Sequence, residues 1–323
     1  MDSENLVEMK NIKKYYLVKN SVYSEKRKYL KAVDNVSLNI RKQEVLGLVG
    51  ESGCGKSTLG HTVLRLNGIT AGSIVFDGED ITHYSGRKMR PLREKMQIIF
   101  QDPYASLDPR MTVYQTIAAP LKAFKVGKKD EYYTRVKNAM SVVGLGEQYM
   151  HKYPHEMSGG QRQRVVIARS LIINPKFIVC DESVSALDVS VRSQVLNLMK
   201  DIKEKYGITY LFISHDLAVI RYLCDRVAVM YLGKIVELAD KDELFNNPRH
   251  PYTKALLSAI PVAKVDKNKG SRIILSGDLP SPVNPPSGCG FHTRCTQCTE
   301  KCVSGEVELR EVLPRHFAAC HFA

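Results

Sequence analysis

Gly50-Glu51-Ser52-Gly53-Cys54-Gly55-Lys56-Ser57 is the stretch that decides the fold. It fits G-x-x-x-x-G-K-[ST], follows the apolar run Val45 to Val49 and precedes the helical stretch Thr58 to Leu66, the strand, loop and helix order that a phosphate-binding loop needs. Gly50, Gly53 and Gly55 allow the backbone to curl until its N–H groups converge on an anion, with no Cβ in the way. Lys56 is expected to bridge the β and γ phosphates and Ser57 to hold Mg²⁺, while the helix that begins there turns its positive end to the ligand. Ser52, Cys54 and Thr58 complete the expected phosphate cradle. Cys54, at a helix N-terminus near Lys56, is expected to have a lowered pKa and to react with alkylating agents.

A second half of the site is legible at Phe177-Ile178-Val179-Cys180-Asp181-Glu182. A buried apolar strand that delivers two carboxylates to its carboxyl end suits Mg²⁺ and water chemistry, because ligands bind at the ends of parallel strands. Asp181 is the metal-side carboxylate and Glu182 the base that polarises water. His215, after the strand Tyr210 to Ile213, is placed to reach the γ-phosphate; the plainer reading is a surface or helix-capping histidine.

The surrounding chain is consistent with one large domain and a smaller one. Its 323 residues, 44% hydrophobic and 25% charged, are enough to bury a full core. There is no run of about 18 uncharged apolar residues to span a membrane. The N-terminus, Met1-Asp2-Ser3-Glu4-Asn5, lacks the basic-then-apolar order of a signal peptide, so a cytoplasmic location is expected. Apolar runs at Ala32 to Ile40, Val45 to Val49, Ser73 to Phe76, Met96 to Phe100, Phe177 to Cys180, Ile208 to Ile213, Arg226 to Tyr231 and Lys234 to Leu238 read as strands. Helices are expected from Gly160 to Ile173 and from Val191 onward, and residues 103 to about 157 read as polar and helical. Strand and helix alternate, which gives an α/β fold with a mainly parallel sheet. The net charge of +13, with clusters at Arg87 to Lys95 and Lys122 to Lys129, suggests a polyanionic partner: nucleic acid, acidic lipid headgroups or a phosphorylated ligand.

Met157-Ser158-Gly159-Gly160-Gln161, followed by Arg162-Gln163-Arg164, resembles the signature of the ATP-binding-cassette (ABC) ATPases, with Met157 in place of the usual Leu. Ser158-x-x-Gln161 is at the same time a capping box for the following helix. The resemblance extends to Gln101 as the lid glutamine, Ser185-Ala186-Leu187-Asp188 as the loop that crosses the dimer, Ser214-His215-Asp216 as the switch histidine and Tyr16 as the aromatic that stacks on adenine. Ser183 stands where the family usually has Pro. A narrower resemblance, carried by Gln101 to Arg110, Val189 to Arg192, Asn247 to Thr253 and Pro280-Ser281-Pro282, points to the ATPase subunits of dipeptide and oligopeptide importers, and within them to the second of two sister ATPases.

That resemblance implies a P-loop NTPase core of ABC type with an antiparallel β subdomain, an inserted helical subdomain at about 102–172 and a small irregular Cys-rich extension. The nucleotide-binding domain would span 1–250 and the extension 251–323. Gln101 joins Ser57 and Asp181 as a Mg²⁺ ligand. Ser158, Gly159, Gly160, Gln161 and Asp188 act on the ATP of a facing subunit, so two chains, a heterodimer of sister ATPases, complete the sites. The implied partners are two transmembrane permease subunits and an extracytoplasmic binding protein, with the chain at the cytoplasmic face of the membrane. Nucleic acid is not expected as a partner. Nickel chelates or another small solute are alternative cargoes, and a DNA-repair cassette is the reading from a different class.

Five of the eight cysteines, Cys289, Cys295, Cys298, Cys302 and Cys320, crowd the last 35 residues. In a reducing compartment such a cluster suggests a metal site. Cys289, Cys295, Cys302 and Cys320 resemble, in spacing, the [4Fe–4S] ligands at the end of some peptide-importer ATPases. Cys298 is additional and leaves the ligand set ambiguous; structural Zn²⁺, for which Cys295-x-x-Cys298 is the commoner spacing, and unmetallated thiols are the alternatives.

Overall fold

The computed structural model describes residues 4–18, 27–260, 273–275 and 277–323, so the first three residues of the polar N-terminus lie outside it. The chain divides into two compact units, one of Met1–Leu6, Ile40–Val45 and His83–Ile213, the other of Val7–Asn39, Leu46–Thr82 and Ser214–Ala323.

The first unit is built on parallel strands. Met96–Ile99 pairs with Phe177–Asp181, which pairs with Thr209–Ile213. Every residue of the last two strands is buried, which is why Phe177 to Cys180 and Tyr210 to Ile213 read as unbroken apolar runs. The helix Gly159–Leu171 packs against Val113–Phe124, Tyr132–Val142 and Val189–Tyr206. Thr112 opens the first of these neighbours with a capping box, and the last stops at Gly207, whose left-handed backbone (φ 63°) ends a helix without Cβ strain. Val195, Leu196, Met199 and Ile202 are the buried stripe of that last helix, each contributing about 1.5–3 kcal/mol by leaving water. Arg87 to Lys95, read from the sequence only as a charged cluster, is helical as Gly86–Lys95 and buries Met89 and Leu92.

The second unit holds an antiparallel sheet in which Asn5–Val18 pairs with Ala71–Phe76, and that strand with Glu79–Asp80 across Asp77-Gly78. Both turn residues have positive φ (50° and 82°), as a tight hairpin requires. Leu46 to Val49 runs parallel to Arg226–Tyr231, which pairs antiparallel with Lys234–Asp240. The tail expected to be irregular adds a hairpin here. Arg310–Leu313 pairs with His316–Ala318, and the latter with Lys234–Asp240. At four and three residues these strands are too short for periodicity to reveal them. Among the described residues no helix is long and apolar enough to cross a membrane.

Candidate nucleotide site

The phosphate loop lies in the second unit, at the carboxyl end of Val45–Val49. The helix Lys56–Val63 starts from Gly55 in the left-handed region and has no acidic residue in its first turn, so no carboxylate there repels an anion. Glycine is obligatory at both ends of the loop. A Cβ on Gly50 would lie 2.2 Å from the Met230 carbonyl oxygen, and one on Gly55 2.0 Å from that of Ala32. Gly53 is left-handed too (φ 80°) but has open space where its Cβ would be. Lys56 is buried, and its Nζ donates to the carbonyls of Gly50 (2.8 Å) and Glu51 (2.9 Å), which holds the ammonium inside the curl. Gly233 N–H donates to the Cys54 carbonyl at 2.9 Å, anchoring the loop to the turn after Arg226–Tyr231. Ser52 and Ser57 are exposed and Thr58 is half-buried.

Cys54 corrects the sequence reading. Its thiol is buried, and burial pushes its pKa up by more than the nearby Lys56 charge lowers it. The helix N-terminus does not decide the matter, because the sulfur points into the protein.

Tyr16 is exposed, with the Lys14 ammonium 4.7 Å from its ring centroid and its hydroxyl accepting from Asn67 at 3.3 Å. Its neighbour Tyr15 is engaged differently, donating to Asp34. His215 is exposed on the turn after Ser214. Capping of the next helix, the plainer role considered for His215, belongs to Asp216, which accepts from the Ala218 (2.9 Å) and Val219 (3.4 Å) N–H groups.

The first unit brings together the carboxylates and the lid glutamine. Asp181 is buried at the end of Phe177–Asp181, and Glu182 follows in the left-handed region (φ 47°). The Glu182 N–H donates to Ile213 O at 3.0 Å and its carbonyl accepts from the Ser185 hydroxyl at 2.8 Å, so both flanks fix the turn that aims the side chain. Gln101 Nε2 donates to Glu182 Oε2 at 3.1 Å.

The signature segment lies in the same unit. Ser158 Oγ accepts from Gln161 N–H (3.3 Å) while Gln161 Oε1 accepts from Ser158 N–H (3.0 Å), so the capping box forms as read. Ser158 stays exposed at the helix N-terminus and Gly160 is buried against Val191. Asp188 caps Val189–Tyr206 by accepting from Val191 N–H (2.9 Å) and the Ser190 hydroxyl (2.8 Å), and these bonds hold its carboxyl below the usual range.

Cys302 lies close enough to Cys289, Cys295 and Cys320 to act on their thiols. Burial pushes Cys289, Cys295 and Cys320 up, and the charge of Cys302 adds to each. Cys302 and Cys320 are buried, Cys289 and Cys295 half-buried and Cys298 exposed. Four thiols are the donor chemistry of an iron–sulfur or zinc site. They are not gathered as one: among the described residues no three His, Cys, Asp or Glu side chains form a group that could hold a metal.

Two residues beside the phosphate loop were missed. Tyr252 OH accepts from the Glu51 N–H, and Arg294 pairs with the Glu51 carboxylate, both at 2.8 Å. Only the segment Asn247 to Thr253 carried a signal, and it assigned no role to Tyr252.

The ABC transporter family model matches residues 33–185, and a second, the C-terminal region of oligopeptide/dipeptide transporters, matches residues 236–302. The chain is 49% identical to the oligopeptide transport ATP-binding protein AppF of Bacillus subtilis, covering 99% of this chain and 98% of that one. The chain belongs to the ABC transporter family. It is an ABC ATPase, and its likeness to the dipeptide transport ATP-binding protein DppF of Escherichia coli is 45% over 95% of this chain and 91% of that protein. Among solved structures, cbiO1 of Clostridium perfringens, part of the ABC transporter complex cbiONQ, superposes on this ABC ATPase with a TM-score of 0.66 at 30% identity, covering 76% of this chain and 92% of that one. The ATP-binding cassette MJ0796, in a dimeric post-hydrolysis state with ADP and Pi, gives 0.65 at 29% identity over 73% and 98%.

Proposed function

We propose that this ABC ATPase powers the import of dipeptides or oligopeptides from the cytoplasmic face of a membrane, as half of an ATPase pair with a sister chain. The observation that carries the reading is the Gln101–Glu182 bond at the end of a buried parallel strand, since it ties the lid residue to the carboxylate that would activate water. In this reading Lys56 and the N–H groups of the loop bind the phosphates, Tyr16 stacks on adenine, and Ser57, Gln101 and Asp181 hold Mg²⁺. The hydroxyl of Ser57 and the carboxylate of Asp181 are hard oxygen donors of the kind that ion takes. Mg²⁺ offsets charge on the transferred phosphoryl group. Glu182 orients the attacking water and His215 senses the γ-phosphate, so catalysis is positioning and electrostatics.

Ser158, Gly159, Gly160, Gln161 and Asp188 would act on the nucleotide of the facing chain. A signature helix supplies about half a positive charge at its N-terminus, enough to favour closure with ATP and release it once the γ-phosphate leaves. The dimeric state of MJ0796 supports the pairing. The domains follow this division, with the nucleotide-binding domain over 1–250, including a helical subdomain at about 102–172, and the Cys-rich extension over 251–323. Two permease subunits and a substrate-binding protein complete the machine. The relatives named for oligopeptide and dipeptide transport support the peptide cargo.

The test is reconstitution of the chain with those partners in vesicles. Peptide uptake that requires ATP and stops with Lys56→Ala is expected, and uptake unaffected by that change would refute the reading. Cys289, Cys295, Cys302 and Cys320 are proposed as ligands of a [4Fe–4S] cluster, with structural Zn²⁺ as the alternative; the donor chemistry of four thiols supports the reading, and a bound ion would have to draw them into the single group that the described residues do not form. Metal analysis of chain purified without oxygen separates the two, because a brown, iron-containing protein favours the cluster and a colourless one with stoichiometric zinc favours Zn²⁺.

A further inference from the structure

Glu51, the second residue of the phosphate loop, is held at three points. Its carbonyl accepts from Lys56 Nζ at 2.9 Å, its N–H donates to the Tyr252 hydroxyl at 2.8 Å, and its carboxylate accepts from Arg294 Nη1 at 2.8 Å. Arg294 ends the short turn His292–Arg294, whose own bonds run back to the cysteine segment: His292 N–H donates to Cys289 O at 2.9 Å and Cys295 N–H to His292 O at 3.3 Å. The platform beneath is aromatic. Tyr252, Tyr231 and Phe291 pack with ring centroids 4.7 to 5.4 Å apart. The Arg294 side chain is 9% exposed and that of Glu51 27%, so the pair is screened by salt less than a surface one.

From this we infer that Arg294 is a positioning residue for the ATPase, acting through Glu51 on Lys56 and so joining the Cys289–Cys295 segment to the phosphate loop. Two physical effects follow from the geometry. The guanidinium neutralises a carboxylate that would otherwise repel a polyphosphate a few residues away. It also fixes Glu51, whose carbonyl helps set the position of the Lys56 ammonium. Burial of the Arg294 side chain restricts the contact to few geometries, which a mobile surface pair would lack. By linkage, whatever stabilises the turn between Cys289 and Cys295 tightens nucleotide binding, and bound nucleotide in turn stabilises the turn.

The inference rests on the loop being the nucleotide site, so Lys56→Ala is measured beside it; loss of binding there secures the site independently. On the full-length chain, equilibrium titration with MgATP is expected to show Arg294→Ala binding about 3- to 10-fold more weakly, with Arg294→Lys recovering most of the loss. Because Glu51→Gln removes the unpaired charge and not the loss of the anchor, adding it to Arg294→Ala is expected to recover part of the lost affinity and not all of it. Thermal melting without nucleotide separates a positioning role from a general loss of fold, and should Arg294→Ala not fold, Arg294→Gln, which keeps a polar side chain and removes the charge, is expected to show the same weakening. Affinity unchanged in a folded Arg294→Ala chain, or a loss that Glu51→Gln does not relieve, would overturn the assignment.

Discussion

Gln101 Nε2 lies 3.1 Å from Glu182 Oε2, so the lid glutamine and the proposed base share a hydrogen bond. The carboxylate is aimed by a left-handed backbone at Glu182 (φ 47°) that the Ile213 and Ser185 contacts hold in place. Glu182→Gln keeps the shape and removes the charge. Turnover is expected to fall by about 10²- to 10⁴-fold, the usual contribution of a positioned acid or base, with MgATP affinity nearly unchanged. Single-turnover assays beside equilibrium binding check this, and near-normal turnover would remove Glu182 from that role.

Gly160 owes its identity to packing as well as to the signature. A Cβ there would lie 2.4 Å from Val191 Cγ1, so the first turn of Gly159–Leu171 approaches Val189–Tyr206 too closely for a side chain. Gly160→Ala is expected to destabilise the chain by about 1–3 kcal/mol through overpacking. Adding Val191→Ala should recover much of that loss in urea titrations. Ser158→Ala removes only a cap, worth about 1 kcal/mol. The two substitutions separate fold from activity, because the proposed trans contact to ATP involves Ser158 without overpacking.

Cys54, the thiol that the sequence reading made reactive, should label after Cys298. Cys54 is buried with its thiol pKa raised by burial, and Cys298 is exposed. In the folded chain iodoacetamide is expected to modify Cys298 first and Cys54 only on denaturation, with peptide mass spectrometry as the readout. Rapid labelling of native Cys54 would show that the loop opens far enough to expose its interior.

Much of the fold and site was legible because local chemistry dictates it. Gly50 and Gly55 are demanded because the Met230 and Ala32 carbonyl oxygens lie within 2.2 Å of where a Cβ would sit, and the apolar runs ending at Val49, Cys180 and Ile213 are strands buried throughout. What was not legible depends on contacts distant in sequence. Nothing near Cys54 reveals that its sulfur faces inward. Glu51 meets Arg294 across 243 positions, and His316 meets Glu237 across 79, so no local pattern marks either pair.

That second pair sets a pH signature for docking of the tail. His316 Nε2 and Glu237 Oε1 are 2.7 Å apart with both side chains fully buried, and His316 Nδ1 faces Glu243 at 3.3 Å. Burial alone would lower the His316 pKa, but the bonds and charges of Glu237 and Glu243 hold it above its ordinary 6.5. For Glu237, burial pushes upward and is outweighed by bonds from His316, Thr253 and the Arg249 and His250 N–H groups, so it lies below its ordinary 4.5. The His316 contribution is therefore complete below pH 6.5 and is lost as pH rises through its raised folded value. The Glu237 contribution is complete above pH 4.5 and is lost as pH falls through its lowered one. The pair is at full strength between these limits. His316→Gln is expected to cost about 3–5 kcal/mol there, because it leaves a buried carboxylate without its cation, and less at pH 9. His250, held by burial at about 4 and bonded to Glu237 through its N–H, destabilises both chains as acid is added, so the narrowing is read on the alkaline side, from pH 7 to 9. Urea titrations of both chains from pH 5 to 9 measure that difference directly, and one that does not narrow toward pH 9 would show that His316 is neutral in the folded chain.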